Sequence, residues 1–196
     1  MKIETIEKLN QVLTTIPGIS KKQADKMSNF FLKQDQEYID NLVKSINDLK
    51  TNISYCSICN FLKEGGKCLV CDDKSRYNFL MIVENAATLR KIDDMNFYNG
   101  YYYVLPYLFN LKNNKEIKNY DYKELINYIQ HKKFDEVIIV LSPSLEGEMT
   151  TGHLLKLINS QFKIKVTRAA IGMPMGSNLE YLDTFTIKQS IENRNK

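Results

Sequence analysis

A chain of 196 residues with 43% apolar and 26% charged side chains, 8 Gly and 4 Pro has the makeup of a folded globular protein, which excludes a disordered or collagen-like chain. Its net charge of +4, from 27 basic and 23 acidic residues, is compatible with a polyanionic partner without requiring one. The longest nearly unbroken apolar run, residues 101–109, falls far short of the roughly 18–20 residues of a membrane span, and the amino terminus interleaves charge with apolar residues, so a cytoplasmic protein is expected.

Ile3, Ile6, Leu9, Val12 and Leu13 recur at three- and four-residue spacing and predict a helix over 3–13. A turn, Ile16-Pro17-Gly18-Ile19-Ser20, leads into a second predicted helix over 21–32, with Ala24, Met27, Phe30 and Phe31 on its inner side. A Pro-Gly turn before a helix that opens with Lys21 and Lys22 offers backbone N–H groups and positive charge to a phosphate; the same residues also suit an ordinary turn with solvated lysines. Residues 35–50 form a third amphipathic helix, with Tyr38, Ile39, Leu42, Val43, Ile46 and Leu49 along one face.

All four cysteines follow within a short stretch, as Cys56-x2-Cys59 and Cys68-x2-Cys71, with Gly65-Gly66 turning the chain between the pairs. Two such knuckles supply the four thiolates of a tetrahedral zinc site; disulfides suit a cytosolic chain poorly, and a redox pair needs only one C-x2-C. With no ligand position open, a single zinc ion is expected to hold structure rather than do chemistry. Lys63, Lys67, Lys74 and Arg76 lie near it in sequence, placed either to offset the charge of the thiolates or to touch DNA.

Beyond the cysteines the pattern alternates between strands and helices: strands over 79–83, 101–105 and 136–141, helices over 86–91, 122–131 and 150–160, then a half-exposed strand around Ile164 and Val166. Such alternation predicts a mainly parallel sheet. Residues 113–122, rich in Asn and Lys, read as a surface loop. Ligands of open α/β sheets gather at the carboxyl ends of strands, where Glu84, Glu146 and Glu148 fall. These carboxylates could hold a magnesium ion; alternatively, Glu146 and Glu148 simply favour the start of a helix. No phosphate-binding G-x4-G-K motif occurs, and His131 and His153 have no nucleophile placed beside them by spacing, so both read as surface or boundary residues.

The order of these parts resembles the RecR family of bacterial recombination mediators. The resemblance rests on the Pro17-Gly18 hairpin, the four cysteines, Ile82-Val83-Glu84, Pro143-Ser144-Leu145-Glu146-Gly147-Glu148, Ile164-Lys165-Val166-Thr167-Arg168 and the stretch from Gly172-Met173-Pro174-Met175-Gly176 to Asp183. It implies a multi-module α+β chain. Its parts are a helix-hairpin-helix region at 1–53, a four-cysteine zinc finger at 54–76, an α/β Toprim domain with a mainly parallel sheet at 77–168, and a segment at 169–196 that contributes to subunit contacts. It also implies a homodimer or ring-shaped tetramer on gapped, single- or double-stranded DNA. Partners are RecO-like and RecF-like proteins, with RecA served indirectly, and Lys21, Lys22 and Lys26 face the DNA. Glu84, Glu146 and Glu148 fall on Toprim acids associated with RecO contact.

The sequence departs from the family pattern at several positions. Ser20 stands for a second hairpin glycine, Tyr103, Pro106 and Tyr107 for a His and a Gly-Gly pair, Ile171 for a basic residue and Asn178 for Asp. A Toprim enzyme that cuts or joins phosphodiesters with magnesium, the alternative function, needs Asp-x-Asp where this chain has Ser142-Pro143-Ser144. Hydroxyls are poor magnesium ligands, and a non-catalytic scaffold is expected.

Overall fold

The structure is a computed structural model and describes residues 2–109 and 121–194. It divides into two compact units, the first ending at Asn52 and the second beginning at Ile53. Most of the loop expected over 113–122 lies outside the described residues; its last member, Tyr122, is buried in the second unit rather than surface-exposed.

The first unit holds α1 (Glu4–Leu13), α2 (Lys21–Phe31) and α3 (Gln36–Asn52). Helices α1 and α2 pack through Leu13 and Ala24, and the buried Ser28 hydroxyl donates to Asn10 Oδ1 at 2.6 Å. Between them the Ile19 N–H donates to the Ile16 carbonyl, with Pro17 second and Gly18 third in the turn. Gly18 sits at φ +86°, in the left-handed region that a type II turn reserves for glycine. Ser20 is different. At φ −79° and ψ 163° its backbone is extended and open to any residue. Its hydroxyl caps the Gln23 N–H, and its own N–H donates to Gln23 Oε1 at 2.7 Å. Serine here closes a capping box that glycine would lack. Helix α3 has no buried residue, and Val43, Ile46 and Leu49 on its apolar face are each more than half exposed.

The second unit opens with an antiparallel sheet of β1 (Ile53–Tyr55), β2 (Leu62–Glu64) and β3 (Lys67–Cys68). The chain then builds β4 (Tyr77–Val83), α4 (Ala86–Asp94), β5 (Gly100–Val104), α5 (Lys123–Lys132), β6 (Glu136–Val140), α6 (Leu145–Gln161) and β7 (Lys165–Arg168). Its four strands run parallel in the order β5-β4-β6-β7, with Ile82 opposite Tyr103 on one side and Ile139 on the other. Consecutive residues of a strand point to opposite faces, and Leu80, Met81, Ile82 and Val83 are all buried, as are all residues of β5, so both faces of the sheet centre are covered. A short 3-10 turn (Leu179–Tyr181) and α7 (Thr184–Glu192) complete the chain without a buried residue.

Helix α6 begins at Leu145, earlier than its apolar periodicity predicts. Ser144 caps it by accepting from the Gly147 N–H, and Gly147 lets the first turn pass close against the Ser142 carbonyl, where a Cβ would collide. The start is therefore set by a cap and a close approach, neither of which has a hydrophobic period.

Arg76 fastens the entry to β4. Its nearly buried guanidinium pairs with Asp93 at 2.9 Å and Asp73 at 3.2 Å and donates to the Gly100 carbonyl at 3.0 Å. Lysine keeps the charge but has no planar fork for these three acceptors. Arg76→Lys is expected to cost about 1–2 kcal/mol, from one to two lost charge-assisted hydrogen bonds, measured by urea unfolding; an unchanged midpoint would refute this role.

Candidate metal centre and acidic cleft

Cys56 and Cys59 follow β1, Cys68 ends β3 and Cys71 comes just after it, the turn of the β2–β3 hairpin using Gly65 and Gly66 at φ +55° and +83°. The register that sets Lys63 opposite Cys68 brings the second knuckle back to the first. All four sulfurs lie within 4.8 Å of one another. The pairs Cys59–Cys68 at 3.5 Å and Cys56–Cys71 at 3.9 Å are far longer than the roughly 2.05 Å of a disulfide, and all four thiols are free. Tetrahedral coordination with bonds of about 2.3 Å sets sulfurs about 3.8 Å apart, so the tetrad fits a four-coordinate thiolate-bound ion. Among the described residues it is the one group of this kind that could hold a metal.

Backbone N–H groups turn toward three of the sulfurs, Ile58 to Cys56 at 3.4 Å, Phe61 to Cys59, and Cys71 to Cys68 at 3.3 Å. The neighbouring thiols, Cys59 first, hold Cys71 down to about 6 against burial. Cys71 and then burial push Cys59 far above the ordinary thiol value, and burial raises Cys68. Asp72 accepts from the Cys68 N–H at 2.8 Å and fixes the second knuckle.

The cysteine segment is not set apart from the parallel sheet. Cys56, Cys59, Phe61, Cys68 and Val70 belong to the same buried cluster as Leu80, Tyr103 and Ile129. The Val104 N–H donates to the Cys59 carbonyl at 2.8 Å, and the Asn60 amide donates to Tyr103 Oη and the Val104 carbonyl, both at 3.1 Å. Tyr103, a departure from the family pattern, is fully buried here and uses its hydroxyl in that joint. Tyr107 lies with its ring 5.0 Å from that of Tyr122, and the departing Asn178 still caps the Glu180 N–H through its side-chain oxygen.

At the carboxyl ends of the strands the three glutamates take separate tasks. Glu84 accepts from the Ser142 N–H at 3.1 Å and the Ser142 hydroxyl at 2.8 Å, tying the end of β4 to the end of β6. Glu148 receives a two-pronged pair from Arg168, at 2.9 and 2.8 Å. Glu146 shares the first turn of α6 with Glu148, where acids suit the helix dipole. The three do not gather into a ligand set for magnesium: two carboxylates are already engaged, one by Ser142 and one by Arg168. Beside them a cleft of about 240 Å³ opens between Pro143, Glu148, Thr151 and Arg168.

Lys21, Lys22 and Lys26 are exposed on α2, whose first turn carries no acid, and none of the three is in an ion pair among the described residues. His131 is exposed; His153 is half-buried, 5.2 Å from the Phe109 ring. Asn60, Tyr128 and the Ser142 contact of Glu84 escaped the sequence reading, since each partner comes from a distant segment and no spacing announces it.

A parallel sheet with acids at its carboxyl ends is the arrangement of a Toprim-type domain, here preceded by a four-cysteine site. Residues 78–170 match the family described as Toprim domain, and residues 172–195 match RecR, C-terminal. Recombination protein RecR of Mycoplasmopsis pulmonis is 39% identical over 195 residues, covering 99% of this chain and 100% of that protein. That of Ureaplasma urealyticum is 35% identical, covering 97% and 95%, and that of Natranaerobius thermophilus 30% identical, covering 96% and 95%. The chain belongs to the RecR family of recombination proteins.

Proposed function

We propose that the chain acts as a non-catalytic DNA-binding mediator of recombinational repair. It closes on DNA as a homodimer or ring-shaped tetramer and, with RecO-like and RecF-like partners, promotes RecA loading in the cytoplasm. The observation that carries the reading is the state of the strand ends. Where a Toprim catalyst needs an acidic pair after β6, Ser142 holds Glu84 and Ser144 caps α6, so neither hydroxyl is left over for a metal. Zinc in the cysteine tetrad acts structurally: four thiolates fill a tetrahedron and leave no position for substrate. The uncovered apolar face of α3 and the exposed α7 support contacts between subunits, and the carboxylates and cleft beside Arg168 support contact with a partner protein.

Lys21, Lys22 and Lys26 are assigned to DNA phosphates. Lysine point charges without bidentate forks give sequence-independent binding, whose affinity falls steeply with salt as counterions are released. Lys21→Glu with Lys22→Glu is expected to weaken binding at least about tenfold on every sequence tested and to lower the slope of log affinity against log salt by about 2. Fluorescence anisotropy on gapped and duplex DNA measures both; unaltered affinity removes the hairpin from the interface. In the same buffer with magnesium, retardation of DNA without new strand ends supports the mediator, and breaks abolished by a chelator would favour the enzyme.

A further inference from the structure

The two knuckles are not symmetric in what surrounds their sulfurs. Cys56 receives the Ile58 N–H, Cys59 the Phe61 N–H and Cys68 the Cys71 N–H, but no backbone N–H turns toward Cys71 among the described residues. Four thiolates around a divalent cation carry a net charge of about −2, and each buried negative sulfur needs a donor. The donor facing Cys71 comes from elsewhere in the unit: the Tyr128 hydroxyl, on α5, lies 4.0 Å from Cys71 Sγ. Tyr128 is 8% exposed, and Cys71 is its one hydrogen-bonding partner among the described residues. Its ring is held by Phe134 at 5.1 Å and Tyr103 at 6.2 Å, which aims the hydroxyl without help from the metal. A buried tyrosine keeps its polar end near a partner, and here that partner is a ligand sulfur.

We propose that Tyr128 is a positioning residue of the metal site, donating its hydroxyl proton to the Cys71 thiolate and so linking retention of the metal to the seating of α5. This rests on the metal reading of the tetrad. Outer hydrogen bonds to metal ligands are worth about 10–100-fold in affinity. Tyr128→Phe keeps both ring contacts and removes only the O–H.

The test uses the full chain purified with zinc. Zinc content is measured first, then the rate of zinc transfer to a colorimetric chelator, for the natural chain, Tyr128→Phe and Tyr98→Phe, whose lost hydroxyl bonds the Tyr101 carbonyl instead. Tyr128→Phe is expected to bind one zinc, to release it about tenfold faster and, loaded with cobalt, to show its thiolate charge-transfer band at longer wavelength, with Tyr98→Phe unchanged. Equal release from Tyr128→Phe and the natural chain overturns the proposal. So does faster release from both variants, which marks general loosening. A natural chain that holds no zinc overturns the metal reading itself, an outcome the first measurement separates from the others.

Discussion

Cys68→Ser is expected to leave the chain without its metal and with a substantial part of its stability gone. Three thiolates and a hydroxyl no longer close the tetrahedron, and structural zinc in small domains contributes an apparent 10–16 kcal/mol. A quarter of that, about 2.5–4 kcal/mol, is a large share of the roughly 5–15 kcal/mol by which domains are stable. The loss should not stay local. Cys68 is 2% exposed and shares its buried cluster with Leu80 and Tyr103, and the Cys59 carbonyl holds the edge strand at Val104. Zinc content and thermal unfolding would show metal absent and melting lowered by roughly 5–16 °C. Hydrogen exchange should rise across 53–72 and 100–104 while 4–31, in the other compact unit, stays protected. Full zinc content in Cys68→Ser would sink the four-thiolate assignment.

The second large effect falls where there is no charge at all. A methyl group at residue 147 would run into the Ser142 carbonyl and crowd the Ser144 hydroxyl that caps α6. Backbone cannot step aside as a flexible side chain can, so Gly147→Ala forces the first turn of α6 away from the strand end. Overpacking of this kind costs about 1–3 kcal/mol, at the upper end where backbone must move. Melting should fall by roughly 4–10 °C. The displacement also pulls at Ser142, whose N–H and hydroxyl hold Glu84, and at Glu148, which holds Arg168. Gly152→Ala, also within α6 but facing open space, is the comparison and should be neutral or slightly stabilising. If both variants melt with the natural chain, the close approach at 147 has no energetic weight.

Much of the fold was legible because its signals are local. The runs that became β4 and β6 are apolar through their centres, Phe79–Val83 and Val137–Val140, as the strands of a covered parallel sheet are, and the cysteine spacing announces a metal site by itself. The start of α6 was not legible, since it depends on a serine cap and a glycine whose necessity appears only against the Ser142 carbonyl. The acidic site illustrates the same limit. Sequence brings Glu84, Glu146 and Glu148 to the strand ends, and both a cation site and a helix start suited them. Only the fold reveals that Ser142 and Arg168 have already taken two of the three. Ser20, which stands for a second hairpin glycine, needs none of glycine's freedom: the position is extended and rewards a hydroxyl.

The strand order also sets a schedule for synthesis. β4 is interior, flanked by β5 and β6, both of which lie later in the chain. As the polypeptide leaves the ribosome, Leu80–Val83 emerges as an apolar, β-prone segment lacking both neighbours. One side is met when residues 101–104 follow, and the other waits until Glu136–Val140 has been translated. Such late, non-local pairing is slow and leaves a sticky edge open to other nascent chains. The first compact unit, whose helices need only each other in sequence, can be finished well before that interval closes.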